Sequence, residues 1–155
     1  MSSGLKFTEE YGPDAPSDVI PMLFGEGQKD VAAFAASFPL LYEPDRYMAY
    51  SSGTTNIISR ALARALNAYG PDFEAFMRTR LFEPLGMTSP IPKLGEAGTF
   101  IGSSFCFCTA RDFARFGLLY LRDGVWEDRR LLPEGWVDYA RTRTTAIHDD
   151  AEPYG

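Results

Sequence analysis

One stretch constrains the fold more than any other. From Thr54 onward, apolar residues fall at Ile57, Ile58, Ala61, Leu62, Ala65, Leu66 and Tyr69. These repeated steps of one and three lay a single broad apolar stripe along a helix, the face such a helix turns to a core. Thr54 or Thr55 is placed to cap its start, and Gly70-Pro71 to stop it. A second helix is expected from about Pro71 to Phe82, with Phe73, Phe76, Met77 and Leu81 inward, closed by the turn Glu83-Pro84-Leu85-Gly86-Met87.

The flanks are less regular. Residues 1–28 are rich in turn formers and read as a long loop with one helical turn. Asp30 to Phe38 is a short helix ended by Pro39, and Tyr42-Glu43-Pro44-Asp45-Arg46 is a turn. Further on, residues 88–98 read as loop. Thr99 to Cys108 is β-like, interrupted at Gly102-Ser103-Ser104. Thr109-Ala110-Arg111-Asp112 matches a capping box for a helix through Phe113, Phe116, Leu119 and Tyr120 to Gly124. A last short helix near Pro133 carries Trp136, Val137 and Tyr139. The chain is therefore expected to be mostly helical with a little strand. Its end, Ile147 to Gly155, reads as cut, a polar turn followed by Pro153-Tyr154-Gly155.

Composition limits what such a chain does. With 155 residues, 45% hydrophobic and 14% aromatic, it can bury one core and not two, and it is not a disordered chain. Residues 1–50 hold three Lys/Arg against eight Asp/Glu, most of the net charge of −6. No segment forms a basic stripe, which argues against a nucleic-acid partner. No apolar run approaches the roughly 20 residues of a membrane span. The first residues lack the basic and apolar regions of a signal peptide, and Met1 is expected to be internal, so the compartment is not legible. Cys106 and Cys108 are too close in sequence for good disulfide geometry and read as reduced, packed thiols. With His148 the only histidine, no metal site is expected.

Chemistry centres on Tyr50-Ser51-Ser52-Gly53, immediately before the strongest helix. A phenol used as a base near neutrality needs its pKa lowered by about three units, about 4 kcal/mol. A helix dipole contributes roughly 0.3–1 kcal/mol, so a neighbouring ammonium has to supply the rest. By spacing alone, a packing or capping neighbour is the better reading of Tyr50.

Four stretches in order change that reading: Met1-Ser2-Ser3-Gly4-Leu5 with Glu9-Glu10-Tyr11; Tyr50-Ser51-Ser52-Gly53-Thr54-Thr55-Asn56; Leu81-Phe82-Glu83-Pro84-Leu85-Gly86-Met87; and Thr109-Ala110-Arg111-Asp112-Phe113-Ala114-Arg115-Phe116-Gly117. Together they resemble β-lactamase-related serine hydrolases, a group that includes class C β-lactamases, carboxylesterases, DD-peptidases and 6-aminohexanoate-dimer hydrolases. The resemblance implies an α+β fold of the serine β-lactamase/transpeptidase type. Of that fold the chain would supply mostly the helical subdomain with a small β portion, the central sheet largely missing. Residues 1–155 would be one partial catalytic domain, without the upstream nucleophile helix and the C-terminal strands.

The resemblance also implies roles. A serine in a helical Ser-x-x-Lys motif would attack an ester or amide, forming an acyl-enzyme, with no cofactor. Tyr50 matches the tyrosine that shares the serine's proton, and Ser52 the third position of its motif, where Asn is commoner. The serine leans toward the esterase and dimer-hydrolase branch. Tyr11 would line the substrate cleft, although a loop aromatic covering the core is an equal reading. Ser3-Gly4-Leu5-Lys6 matches Ser-x-x-Lys formally, but Gly4 and a neighbouring loop argue against the helix the motif needs. Gly102-Ser103-Ser104 reads as a strand turn, Arg111 and Asp112 as parts of a helix start, and His148 as solvated. The chain alone is expected to be inactive toward its small-molecule substrate. The alternative is a self-standing helical binding or scaffold module without chemistry.

Overall fold

The computed structural model describes residues 1–12, 16–142 and the backbone of 147–148. The turn at Asp149-Asp150 and the end at Pro153-Tyr154-Gly155 lie outside the described residues. Two short helices open the fold, α1 (Val19–Phe24) and α2 (Val31–Ala36), linked by a 3-10 turn at Glu26–Lys29. The Asp30 carboxylate starts α2 by accepting from the Ala33 amide at 2.8 Å. Strand β1 (Tyr47–Met48) leads into the long helix α3 (Ser52–Leu66), followed by α4 (Pro71–Met77) and a π-helical turn at Arg78–Phe82. Strands β2 (Ile91–Pro92) and β3 (Cys106–Phe107) pair antiparallel. Helix α5 (Ala110–Leu121), the hairpin β4 (Val125–Trp126) with β5 (Arg129–Arg130), and α6 (Trp136–Arg141) follow. Strand β6 (Ile147–His148) returns parallel to β1. The residues called loop at 88–98 and polar turn at 147–148 thus contain strand.

Two apolar clusters hold these elements. The first joins Phe7, Val19, Met22, Leu23, Val31 and Ala35 beneath α3. The second gathers Phe82, Leu85, Met87 and Leu119 between the π-helical turn and α5. Free thiols Cys106 and Cys108 border the second cluster. Burial pushes both thiols up from the ordinary cysteine value, Cys106 further by Cys108 against the opposing pull of Arg78, and Cys108 further by Asp112. They are packed thiols rather than nucleophiles.

Helix α3 is where the fold departs most from its hydropathy pattern. Its buried residues include Ser52, Asn56, Ser59 and Ala63, a stripe of small and polar side chains at steps of four, three and four. Most of the apolar stripe faces out instead: Ile57 packs against the first cluster, but Ile58 is 62% exposed, and Leu62, Leu66 and Tyr69 are exposed as well. The reason is what lies under the helix. Ser59 Oγ donates to the Phe100 carbonyl at 2.6 Å, Asn56 Nδ2 to Ser103 Oγ at 3.1 Å, and Thr54 Oγ1 meets Ser3 Oγ at 2.7 Å. A helix seated on irregular backbone needs side-chain donors and acceptors on that face, because buried peptide groups left unpaired are costly.

The ends of α3 also differ from expectation. Ser51, not Thr54 or Thr55, is the cap, its Oγ accepting from the Thr54 amide at 3.1 Å. Asn67, in the left-handed conformation at φ 50°, ends the helix before Gly70-Pro71, which opens α4. Gly53 lets the first turn of α3 close on the first cluster: a Cβ there would lie 3.0 Å from the Phe7 ring and 3.1 Å from Ala35 Cβ.

Helix α5 keeps half of its capping box. Thr109 Oγ1 accepts from the Asp112 amide at 3.4 Å, but the Asp112 carboxylate does not return to Thr109. Ser89 takes that place: its Oγ accepts from the Thr109 amide at 2.9 Å, while its own amide and hydroxyl donate to Asp112 Oδ2 at 2.9 and 2.6 Å. Arg115 closes the network on Oδ1. Asp112 is 1% exposed, and the serine's two hydrogen bonds, with Arg115, hold its carboxyl below the usual range despite burial.

Candidate active site

The site is built where residues 9–11 cross the start of α3. Ser52, the first residue of α3, donates its backbone amide to Glu9 Oε2 at 2.6 Å and its hydroxyl to Glu9 Oε1 at 2.8 Å. The Tyr11 hydroxyl donates to the same Oε1. A carboxylate here complements both the open amides and the positive end of the α3 dipole. Tyr50 stands two residues before the helix, 43% exposed, and close enough to Tyr11 to act on its titration.

The three residues named from sequence, Tyr11, Tyr50 and Ser52, are therefore neighbours in space. They differ in access. Tyr11 is 73% exposed and Ser52 only 5%. Tyr11 holds its proton firmly, its pKa pushed up to about 12. The hydrogen bond it donates to Glu9 is the main cause, then lost solvation, the charge of Glu9 and the proximity of Tyr50, with Ser52 opposing. A phenol in that state donates and accepts but does not act as a base.

Glu9 is the residue that the sequence reading passed over. It stood in a quoted stretch, Glu9-Glu10-Tyr11, yet a carboxylate in a turn-rich segment carries no local sign of a partner 43 residues away. Ser103 and Ser104, expected in a strand turn, do lie in a turn, and that turn is tied to α3 through Asn56. Ser3 and Lys6 lie outside any helix, with Leu5 bridged to Leu40, so they lack the helix that would align Ser-x-x-Lys. Gly4, at φ +75°, fits where a Cβ would collide with the Tyr42 carbonyl. Beside these residues a cavity of about 170 Å³ is lined by Ser3, Lys6, Tyr42, Tyr47 and Ser51, among others. Among the described residues no His/Cys/Asp/Glu group could hold a metal ion, and no helix is long and apolar enough to cross a membrane.

The Beta-lactamase family model matches residues 1–155. The chain belongs to the β-lactamase family. Among solved structures, the β-lactamase-like fold matches a crystal structure of a candidate β-lactamase from Bacteroides dorei, with a TM-score of 0.67 and 21% identity. The match covers 97% of this chain and 44% of that one, so the chain spans less than half the length of its structural relative. A search of curated proteins finds no match. Family and fold agree with the α+β, mostly helical architecture expected from the sequence motifs.

Proposed function

We propose that this chain carries the tyrosine arm of a serine hydrolase that cleaves an ester or amide through an acyl-enzyme. The observation that supports the reading is the position of Tyr50, exposed and directly ahead of the α3 N-terminus, beside Tyr11, Glu9 and Ser52. In this reading a serine hydroxyl attacks the substrate carbonyl as its proton passes to the Tyr50 oxygen. Tyr50 then gives the proton to the departing alcohol or amine. A lysine ammonium near Tyr50 favours the phenolate and supplies the stabilisation that the helix dipole alone lacks. Tyr11 lines the cleft, and Ser52 connects it to the helix.

In this reading a helical Ser-x-x-Lys segment supplies the nucleophile, and the 155-residue chain by itself is inactive. The test has two parts. The pure chain should leave p-nitrophenyl esters unhydrolysed. A reading frame that joins it to a helical Ser-x-x-Lys segment should hydrolyse esters or amides and lose about 10²–10⁴-fold in kcat with Tyr50→Phe. Full activity in that variant would overturn the assignment, and Tyr50-dependent turnover by the chain alone would overturn its inactivity.

A further inference from the structure

The direction of the hydroxyl protons at this site narrows what it can bind. The Glu9 carboxylate is an acceptor only, and it receives three donors: the Ser52 amide, the Ser52 hydroxyl and the Tyr11 hydroxyl. Each hydroxyl has one proton. Once both protons point at Glu9, the oxygens of Ser52 and Tyr11 have only lone pairs left for any further partner. Tyr11, the exposed member, is the one a ligand can reach. Glu9 enters no ion pair among the described residues, and its carboxylate sits at the positive end of the α3 dipole.

We propose that Glu9 is a positioning residue that turns Tyr11 into an obligate hydrogen-bond acceptor, so that this end of the cleft takes a group bearing N–H, an ammonium or a primary amide, and rejects a carboxylate. The inference rests on the proposed function only in placing Tyr11 at the substrate cleft. An ammonium approaching Tyr11 gains a hydrogen bond and the attraction of Glu9. A carboxylate finds no proton to accept and meets a like charge. Breaking the Glu9 contact frees the phenol proton, and the discrimination goes with it.

Binding can be read without turnover, which keeps this inference separate from the hydrolase reading. The 155-residue chain, labelled with ¹³C in its tyrosine rings, is titrated with n-butylammonium, butyramide and butyrate at constant ionic strength. The Tyr11 signal is identified by its loss in Tyr11→Phe. Tyr11 is expected to shift with butylammonium and butyramide, and with butyrate at least about tenfold more weakly, the scale of one charge-assisted hydrogen bond. Weaker binding of butyramide than of butylammonium would separate the contribution of charge from that of the N–H donor, both of which the proposal contains. In Glu9→Gln the preference should collapse toward equal affinities, and Tyr11→Phe, which leaves the Glu9–Ser52 contacts in place, should lose the donor ligands. Butyrate binding as well as butylammonium would overturn the proposal. So would an unchanged order in Glu9→Gln once the Tyr11 titration has fallen toward 10, the sign that the contact is broken.

Discussion

Two helix starts in this molecule use the same chemistry for different ends. At α3 the Glu9 carboxylate accepts the amide and hydroxyl of Ser52, and at α5 the Asp112 carboxylate accepts the amide and hydroxyl of Ser89. The surroundings separate them. Asp112 is sealed, belongs to the helix it serves and is matched by Arg115. Glu9 arrives from a distant segment and holds Tyr11, which is open to solvent and has the exposed Tyr50 near it. A carboxylate whose donors are all buried with it fastens the fold. A carboxylate whose donors include an exposed phenol also shapes a surface open to solvent.

That contrast predicts opposite signatures. The largest effect belongs to Tyr50→Phe in the hydrolytically competent protein, where kcat should drop about 10²–10⁴-fold while the melting temperature stays put. A parallel loss of stability would make Tyr50 a packing residue and erase the contrast. Next comes Asp112→Ala. It leaves Ser89 and Arg115 without their acceptor, and the melting temperature should fall by roughly 10 °C with KM unaffected. Its acid dependence has a definite sign. The folded protein holds the Asp112 carboxyl below its unfolded value of about 3.9, so its contribution is complete above that pH and disappears as pH falls through the lowered value. The gap in melting temperature between wild type and Asp112→Asn should close below about pH 4.

Smaller is the response of Glu9→Gln. Its melting temperature should change by only a few degrees, while the Tyr11 phenol, followed by its own ring ¹³C signal, should titrate below its wild-type value of about 12. A loss of stability as great as that of Asp112→Ala would remove the distinction between the two carboxylates. The least effect is expected on the outward face of α3, where Ile58→Ser should change the chain's stability by no more than about 0.5 kcal/mol. A loss of 2 kcal/mol or more would show that this stripe is covered.

How far the sequence predicted these features depended on the range of the interactions. Helices α2 to α6 were legible because their signals are local: the apolar spacing within each, Thr109 as a cap and Pro39 as a stop, whereas the Ser51 cap and the Asn67 stop of α3 were not. Strand β3 falls in the stretch expected to be β-like, but the other two-residue strands were not legible, because pairing such as Tyr47 with Ile147 joins distant segments with no periodicity of their own. The β4–β5 turn was missed for a different reason. Glu127 and Asp128 both take positive φ, a conformation whose usual marks are glycine and asparagine. The orientation of α3 was misread because hydropathy assumes an apolar support, whereas Ser59 rests on the Phe100 carbonyl and Asn56 on the Ser103 hydroxyl. Tyr11, Tyr50 and Ser52 were found by motif. Glu9 needed the fold.

The contact between Glu9 and Ser52 has a kinetic side. It spans 43 residues, whereas the capping contacts of α2, α3 and α5 each span three. Short-range turns form early and cheaply, and closing a long loop adds an entropic cost that grows with its length. During folding, α3 can acquire its own cap before the segment carrying Glu9 and Tyr11 has docked. On this ordering the direction of the Tyr11 proton is a long-range property of the fold, fixed when the distant segment docks and not by the helix start itself.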